Sequence, residues 1–172
     1  KYVSFYGLSS LTNLDLTYNE IKSLDNVSFF GLSSLVNLDL SYNHIKSLEN
    51  VLFYRLSILK SLKLGNKIAS LKYVSFYGLS SLSHLDLRYN EIKSLENVSF
   101  YGLLSLNSLK LGNRIASLKY VSFYGLSSLT NLDLSYNQIA SLENVLFYGL
   151  SSLTHLDLSY NQIKSLKNIS FY

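Results

Sequence analysis

The chain has 172 residues, 48% of them hydrophobic, with 15 Lys or Arg, 11 Asp or Glu and a formal net charge of +4. Length and apolar content suit one continuous core, and no composition shift or Gly/Ser linker marks a second domain, so residues 1–172 are expected to form a single unit. The lack of cysteine excludes a disulfide framework and any thiolate site. Lys and Arg are dispersed rather than clustered, which argues against a nucleic-acid groove, and no apolar run is long enough for a membrane span.

Taken in order, the chain is one unit copied seven times. Its copies start at Leu11, Leu35, Leu59, Leu82, Leu106, Leu129 and Leu153, spaced 24, 24, 23, 24, 23 and 24 residues apart, which is the signature of a solenoid. Each copy opens with leucines alternating with polar residues, as in Asn131-Leu132-Asp133-Leu134-Ser135. That period of two predicts a short strand with one face buried, and a lone strand buries its face only by stacking on the next copy, about 4.8 Å away. An asparagine follows in every copy: Asn19, Asn43, Asn66, Asn90, Asn113, Asn137 and Asn161. Its side-chain amide can pair with the main-chain groups that leave the sheet at that corner. Ile and Leu columns continue the core, from Ile21 and Leu24 to Ile163 and Leu166. The return side carries a phenylalanine column from Phe5 to Phe171, expected to stack as a spine, within turns or short helical pieces.

The pattern L-x-x-L-x-L-x-x-N-x-I-x-x-L, followed by F-x-x-L, resembles the leucine-rich repeat family in its 24-residue form over essentially the whole chain. The resemblance implies a solenoid with one short parallel strand per repeat on a single sheet face, and it gives the seven asparagines the role of an asparagine ladder. The cysteine-rich caps common in extracellular members are missing. The chain starts and stops in mid-repeat, Lys1 to Tyr6 matching Lys167 to Tyr172. It is read as part of a longer array or as a unit that stacks end to end, the alternative being a trimmed segment with frayed ends.

Two strand columns are expected on the exposed face: Asn13, Asn37, Ser61, His84, Ser108, Asn131, His155, and Asp15, Asp39, Lys63, Asp86, Lys110, Asp133, Asp157. From Asp39 to Asp133 the signs alternate, which predicts a cross-strand charge ladder. A second one is expected at Lys1, Asp25, Glu49, Lys72, Glu96, Lys119, Glu143 and Lys167. The 24-residue copies read LDLSYN at their clearest and the 23-residue copies LKLGN, with glycine expected to take the tighter turn. The remaining tyrosines, Tyr18, Tyr42, Tyr89, Tyr136 and Tyr160, border the sheet, packed at its edge or open to a planar ligand such as a sugar ring.

A second aromatic column follows the spine: Tyr6, Phe30, Tyr54, Tyr77, Tyr101, Tyr124, Tyr148 and Tyr172. Members of the resembled family usually place a polar residue there. An exposed aromatic stripe marks an interface, for lateral self-association or glycan packing, unless the rings fold down over the return-side backbone. Asn-x-Ser sequons make Asn26, Asn97 and Asn168 candidate N-glycosylation sites.

Nothing points to catalysis, a metal or a cofactor: His44, His84 and His155 are the only histidines, with His84 and His155 three repeats apart in one column. Near-uniform columns suit a periodic ligand or another copy of the chain. The expectation is a non-enzymatic structural array, a segment of an extracellular or cell-surface fibre or coat that self-associates and carries N-glycans. The alternative is a recognition domain for protein or polysaccharide from a longer receptor or adhesin. A designed repeat is disfavoured by irregular positions such as Arg55, Ile58 and Leu104.

Overall fold

The computed structural model describes residues 5–25, 27–48, 51–72, 74–95, 99–119, 121–142 and 146–166. Seven strands of three residues each follow the leucine alternation: β1 (Asn13–Asp15), β2 (Asn37–Asp39), β3 (Ser61–Lys63), β4 (His84–Asp86), β5 (Ser108–Lys110), β6 (Asn131–Asp133) and β7 (His155–Asp157). They form one parallel sheet in sequence order. The register is the repeat itself, with Leu38 opposite Leu62 and Leu62 opposite Leu85. Each central leucine turns inward: those of β2 to β6 are buried, and those of β1 and β7 are half-buried.

Behind the sheet, Leu40, Ile45 and Leu48 and their counterparts in the inner copies close the core, whereas Leu166 of the last copy, expected in the same column, is exposed because no further copy covers it; Phe29, Phe53, Phe76, Phe100 and Phe123 are buried on the return side. Their rings stack from repeat to repeat, with centroids 5.9 Å apart for Phe29–Phe53, 6.1 Å for Phe76–Phe100 and 6.4 Å for Phe100–Phe123. Among the described residues the return side holds turns and no helix. Successive turn bonds explain this: Leu32 N donates to Phe29 O and Leu35 N to Leu32 O, and the same pair recurs at Leu56 and Leu59. A left-handed glycine sits inside the first of these turns, from Gly31 at φ 96° to Gly149 at φ 85°, a conformation that interrupts any helix.

The second copy breaks this rule. Arg55 replaces the glycine without a positive φ, and Val51 takes one instead, at 55°. The chain of the next copy then passes so close that a Cβ on Gly78 would lie 2.4 Å from Tyr54 Cα.

Candidate functional site

The corner after each strand is held by the asparagines. Asn43 Nδ2 donates to Leu16 O of the preceding copy and Leu40 O of its own, while its Oδ1 accepts Ile21 N. Asn66 Nδ2 donates to Leu40 O, Asn90 to Leu64 O and Leu87 O, Asn113 to Leu87 O, Asn137 to Leu111 O and Leu134 O, and Asn161 to Leu134 O and Leu158 O. Each thus ties its own strand exit to the one before it. Asn19 bonds only within its own copy, to Leu16 O and Thr17 O. These amides satisfy buried main-chain groups, so they hold the face in register and leave little for a ligand.

Above this corner the two repeat types diverge. In every 24-residue copy the strand's aspartate accepts the backbone N–H two residues on: Asp15 from Thr17, Asp39 from Ser41, Asp86 from Arg88, Asp133 from Ser135 and Asp157 from Ser159. These bonds hold the Asp15 and Asp157 carboxyls below the ordinary aspartate range. The following tyrosine absorbs the extra residue in a left-handed conformation, from φ 52° at Tyr160 to 65° at Tyr89. The glycines of the short copies, expected to take the tighter turn, sit there without a positive φ at either Gly65 or Gly112. At 65 the backbone of the next copy comes close, and a Cβ there would meet Arg88 O at 3.0 Å, a tight contact that favours glycine.

The left-handed tyrosines project as an exposed ridge along the sheet edge. Adjacent long copies bring their rings face to face, 4.4 Å apart for Tyr18–Tyr42 and 4.3 Å for Tyr136–Tyr160. The crowding raises the Tyr42 phenol above its ordinary value, chiefly through Tyr18, and the Tyr136 phenol through its hydrogen bond with Tyr160. Across the short third copy, Tyr42 and Tyr89 are 6.3 Å apart and inclined by 28°.

The face itself is polar and shallow, with depressions over β5 to β7 and over β3 to β5. Of the charge ladder, Lys63 Nζ reaches Asp39 Oδ2 at 3.1 Å, but Asp86 is claimed by Arg88 of its own copy, with Nη2 at 2.7 Å from Oδ2. Lys110 forms no ion pair among the described residues. Lys1, Glu49, Glu96, Glu143 and Lys167 of the second charge column lie outside the described residues. His84 and His155 each hydrogen-bond through Nδ1 to the preceding hydroxyl, of Ser83 and Thr154, and among the described residues no three His, Asp or Glu side chains gather to hold a metal.

On the return side, Tyr6, Tyr54, Tyr77, Tyr101, Tyr124 and Tyr148 are exposed and Phe30 is partly so. Tyr6 and Phe30 lie parallel with centroids 6.5 Å apart. Arg55 then interrupts the row, its guanidinium 4.8 Å from the Phe30 ring centroid and 4.9 Å from that of Tyr54, to whose hydroxyl it donates. Tyr172 and the candidate glycan positions Asn26, Asn97 and Asn168 lie outside the described residues. The sequon serine has a turn-forming role visible at Ser28, whose Oγ accepts Asp25 N. Ser75 and Ser122 accept from Lys72 N and Lys119 N in the same way, in copies with no asparagine before them.

Comparison with known proteins bears on this geometry. The family profile described as leucine rich repeat matches residues 3–45, 64–113 and 112–163. No curated protein sequence matches the chain. Among solved structures, the chain is similar to the crystal structure of the TLR13–ssRNA13 complex, at 34% identity and a TM-score of 0.89 over 92% of this chain. It is similar in fold to the APL1 leucine-rich repeat domain, at 24% identity and a TM-score of 0.74 over 89% of this chain. It spans only 23% and 39% of those two chains. With more than half of its residues matched by the profile and seven in-register strands behind an asparagine corner, the chain belongs to the leucine-rich repeat family.

Proposed function

We propose that the chain is a non-enzymatic recognition array that works outside the cell or at its surface and binds an extended polysaccharide or protein across its sheet face. The observation that carries this reading is the face itself. Seven strands present hydroxyl, amide, imidazole, carboxylate and ammonium groups in register, while their buried leucines and the asparagine corner fix the spacing. Such a surface is already ordered before a ligand arrives, so little conformational entropy is lost on binding. The Asn-x-Ser sequons fit the extracellular setting, with N-glycans on Asn26, Asn97 and Asn168. The likeness to a structure of an ssRNA complex removes the ground for excluding nucleic acid on charge dispersion alone, and RNA belongs in the same assay.

Binding to immobilised polysaccharides, to single-stranded RNA and to extracellular-matrix protein tests the proposal. Asn131→Ala with His155→Ala should weaken binding of the ligand, and Tyr77→Ser with Tyr101→Ser should leave it intact. The reverse pattern sinks the reading. A second reading, self-assembly into a fibre or coat, is favoured by one observation: the tyrosine row remains exposed along the return side. Sedimentation at rising concentration separates the two, since lateral assembly requires Tyr77, Tyr101 and Tyr124 and ligand binding does not.

A further inference from the structure

The ridge of left-handed tyrosines has a gap at the third copy, and the gap is lined. Gly65, Tyr42 and Tyr89 line it, and Lys63 of β3, Arg88 of the turn after β4 and Lys110 of β5 join them around a cavity of about 330 Å³. Arg88 is the irregular member: the other long copies carry Thr17, Ser41, Ser135 and Ser159 in its place. Its guanidinium is held flat, Nε at 3.0 and 3.1 Å from the two Asp86 carboxylate oxygens and Nη2 at 2.7 Å from one of them, 5.7 Å from the Tyr89 ring centroid. That geometry leaves Nη1 and one Nη2 hydrogen as spare donors in a fixed plane.

The two carboxylates at the gap are already engaged, Asp39 by Lys63 and Asp86 by Arg88, whereas Lys110 has no ion-pair partner among the described residues. The unspent hydrogen-bonding capacity is therefore on the donor side, beside two exposed aromatic rings. Beyond the gap the same column turns acidic, with Asp15 on β1 and Asp133 and Asp157 on β6 and β7. A chain charged at every unit, such as RNA, meets these carboxylates on both sides, while a mostly neutral chain with one anionic unit does not.

We infer that this gap is the subsite for a single carboxylated sugar in an otherwise neutral polysaccharide, its ring packed against the exposed Tyr42–Tyr89 pair and its carboxylate on Arg88 and Lys110. The inference rests on the recognition reading above and names its ligand class. Calorimetric titration of the chain with a tetrasaccharide that is neutral apart from one glucuronate, with the methyl ester of that sugar, and with an oligouridylate tests it. The acid should bind about tenfold more tightly than its ester, as expected when a charged partner is removed from a site built around it. Arg88→Ser, which restores the residue found at Ser41, and Lys110→Gln should each erase that preference without changing the melting temperature. Replacing Gly65 by the Ser-Tyr pair of the long copies should fill the gap and abolish binding. Equal affinity for acid and ester, acid binding untouched by all three variants, or tighter binding of the oligouridylate overturns the inference. If neutral glycans bind through Asn131 and His155 with no dependence on the gap, the inference fails and the recognition reading stands; if no ligand class binds the face, both fail.

Discussion

The long and short copies solve the same corner by different means. In a long copy the strand's own aspartate takes the turn N–H, and the tyrosine absorbs one residue in a left-handed conformation. In a short copy both are absent, and the backbone N–H of the corner asparagine turns to the next copy instead. Asn66 N and Ile68 N both donate to Asn90 Oδ1, and Asn113 N and Ile115 N both donate to Asn137 Oδ1. A long copy sends only one such bond forward, as Ile21 N does to Asn43 Oδ1. The long copy also sends its tyrosine N–H forward, as Tyr18 N does to Ser41 O, so deleting a residue removes the bond inside the copy and concentrates two of the forward bonds on one side-chain oxygen of its successor.

The sharpest way to break this comparison is to remove the receiving amide. Asn137→Ala leaves two N–H groups and the Leu111 and Leu134 carbonyls without their partner in a buried corner, and should cost about 3 kcal/mol or more in urea unfolding. Asn43→Ala should cost measurably less, because its Oδ1 receives one N–H rather than two; equal losses would mean that the short turn has no special dependence on its successor.

Next in size is the left-handed tyrosine. Tyr136→Ala and Tyr136→Gly both lose the stack on Tyr160, but only alanine keeps the strain, so glycine should be the more stable by about 1 kcal/mol. At the strand, Asp133→Ala removes the acceptor of both Ser135 N and Ser135 Oγ and should cost about 1 kcal/mol. Lys63→Ala, in a short copy, breaks only an exposed ion pair and should cost less than about 0.5 kcal/mol.

The smallest effect is with pH. The folded pKa of Asp15 and of Asp157 is lowered by the bonds from Thr17 and Ser159, so their contribution is complete above the unfolded aspartate value of about 4 and fades as pH falls through the lower folded value. Protection of the amides at Thr17 and Ser159 should fall in acid, while that at Gly65 and Gly112, which have no strand aspartate, should not change with aspartate protonation.

Strand positions, register and the leucine, isoleucine and phenylalanine columns were legible because a period of two and a repeat of 23 or 24 residues leave one consistent way to bury the apolar set. The turn chemistry was not. Tyrosine has no intrinsic taste for a left-handed conformation, and it adopts one because the Asp-capped turn and the asparagine corner fix both its ends. The signal available was the length difference: one extra residue between anchored points has to be absorbed as a bulge. The alternating charges looked like a ladder, yet Asp86 is taken by Arg88 two residues away, because the guanidinium of the following turn meets both carboxylate oxygens at once. Likewise the sequon serine reads as a glycosylation signal, while Ser28 also closes a turn on Asp25. The gap over Gly65 depends on which side chain is missing, and that became visible only when neighbouring copies stood side by side.

Because every strand pairs only with its sequence neighbours, the array is tolerant of editing by whole copies. Excising one short copy, residues 106–128, would set β4 directly beside β6, a long copy against a long copy. The molecule already contains that joint twice, at β1–β2 and β6–β7. Unequal exchange between copies of the coding repeat therefore yields chains that still fold, and such exchange can create or erase a gap in the tyrosine ridge without rebuilding anything else.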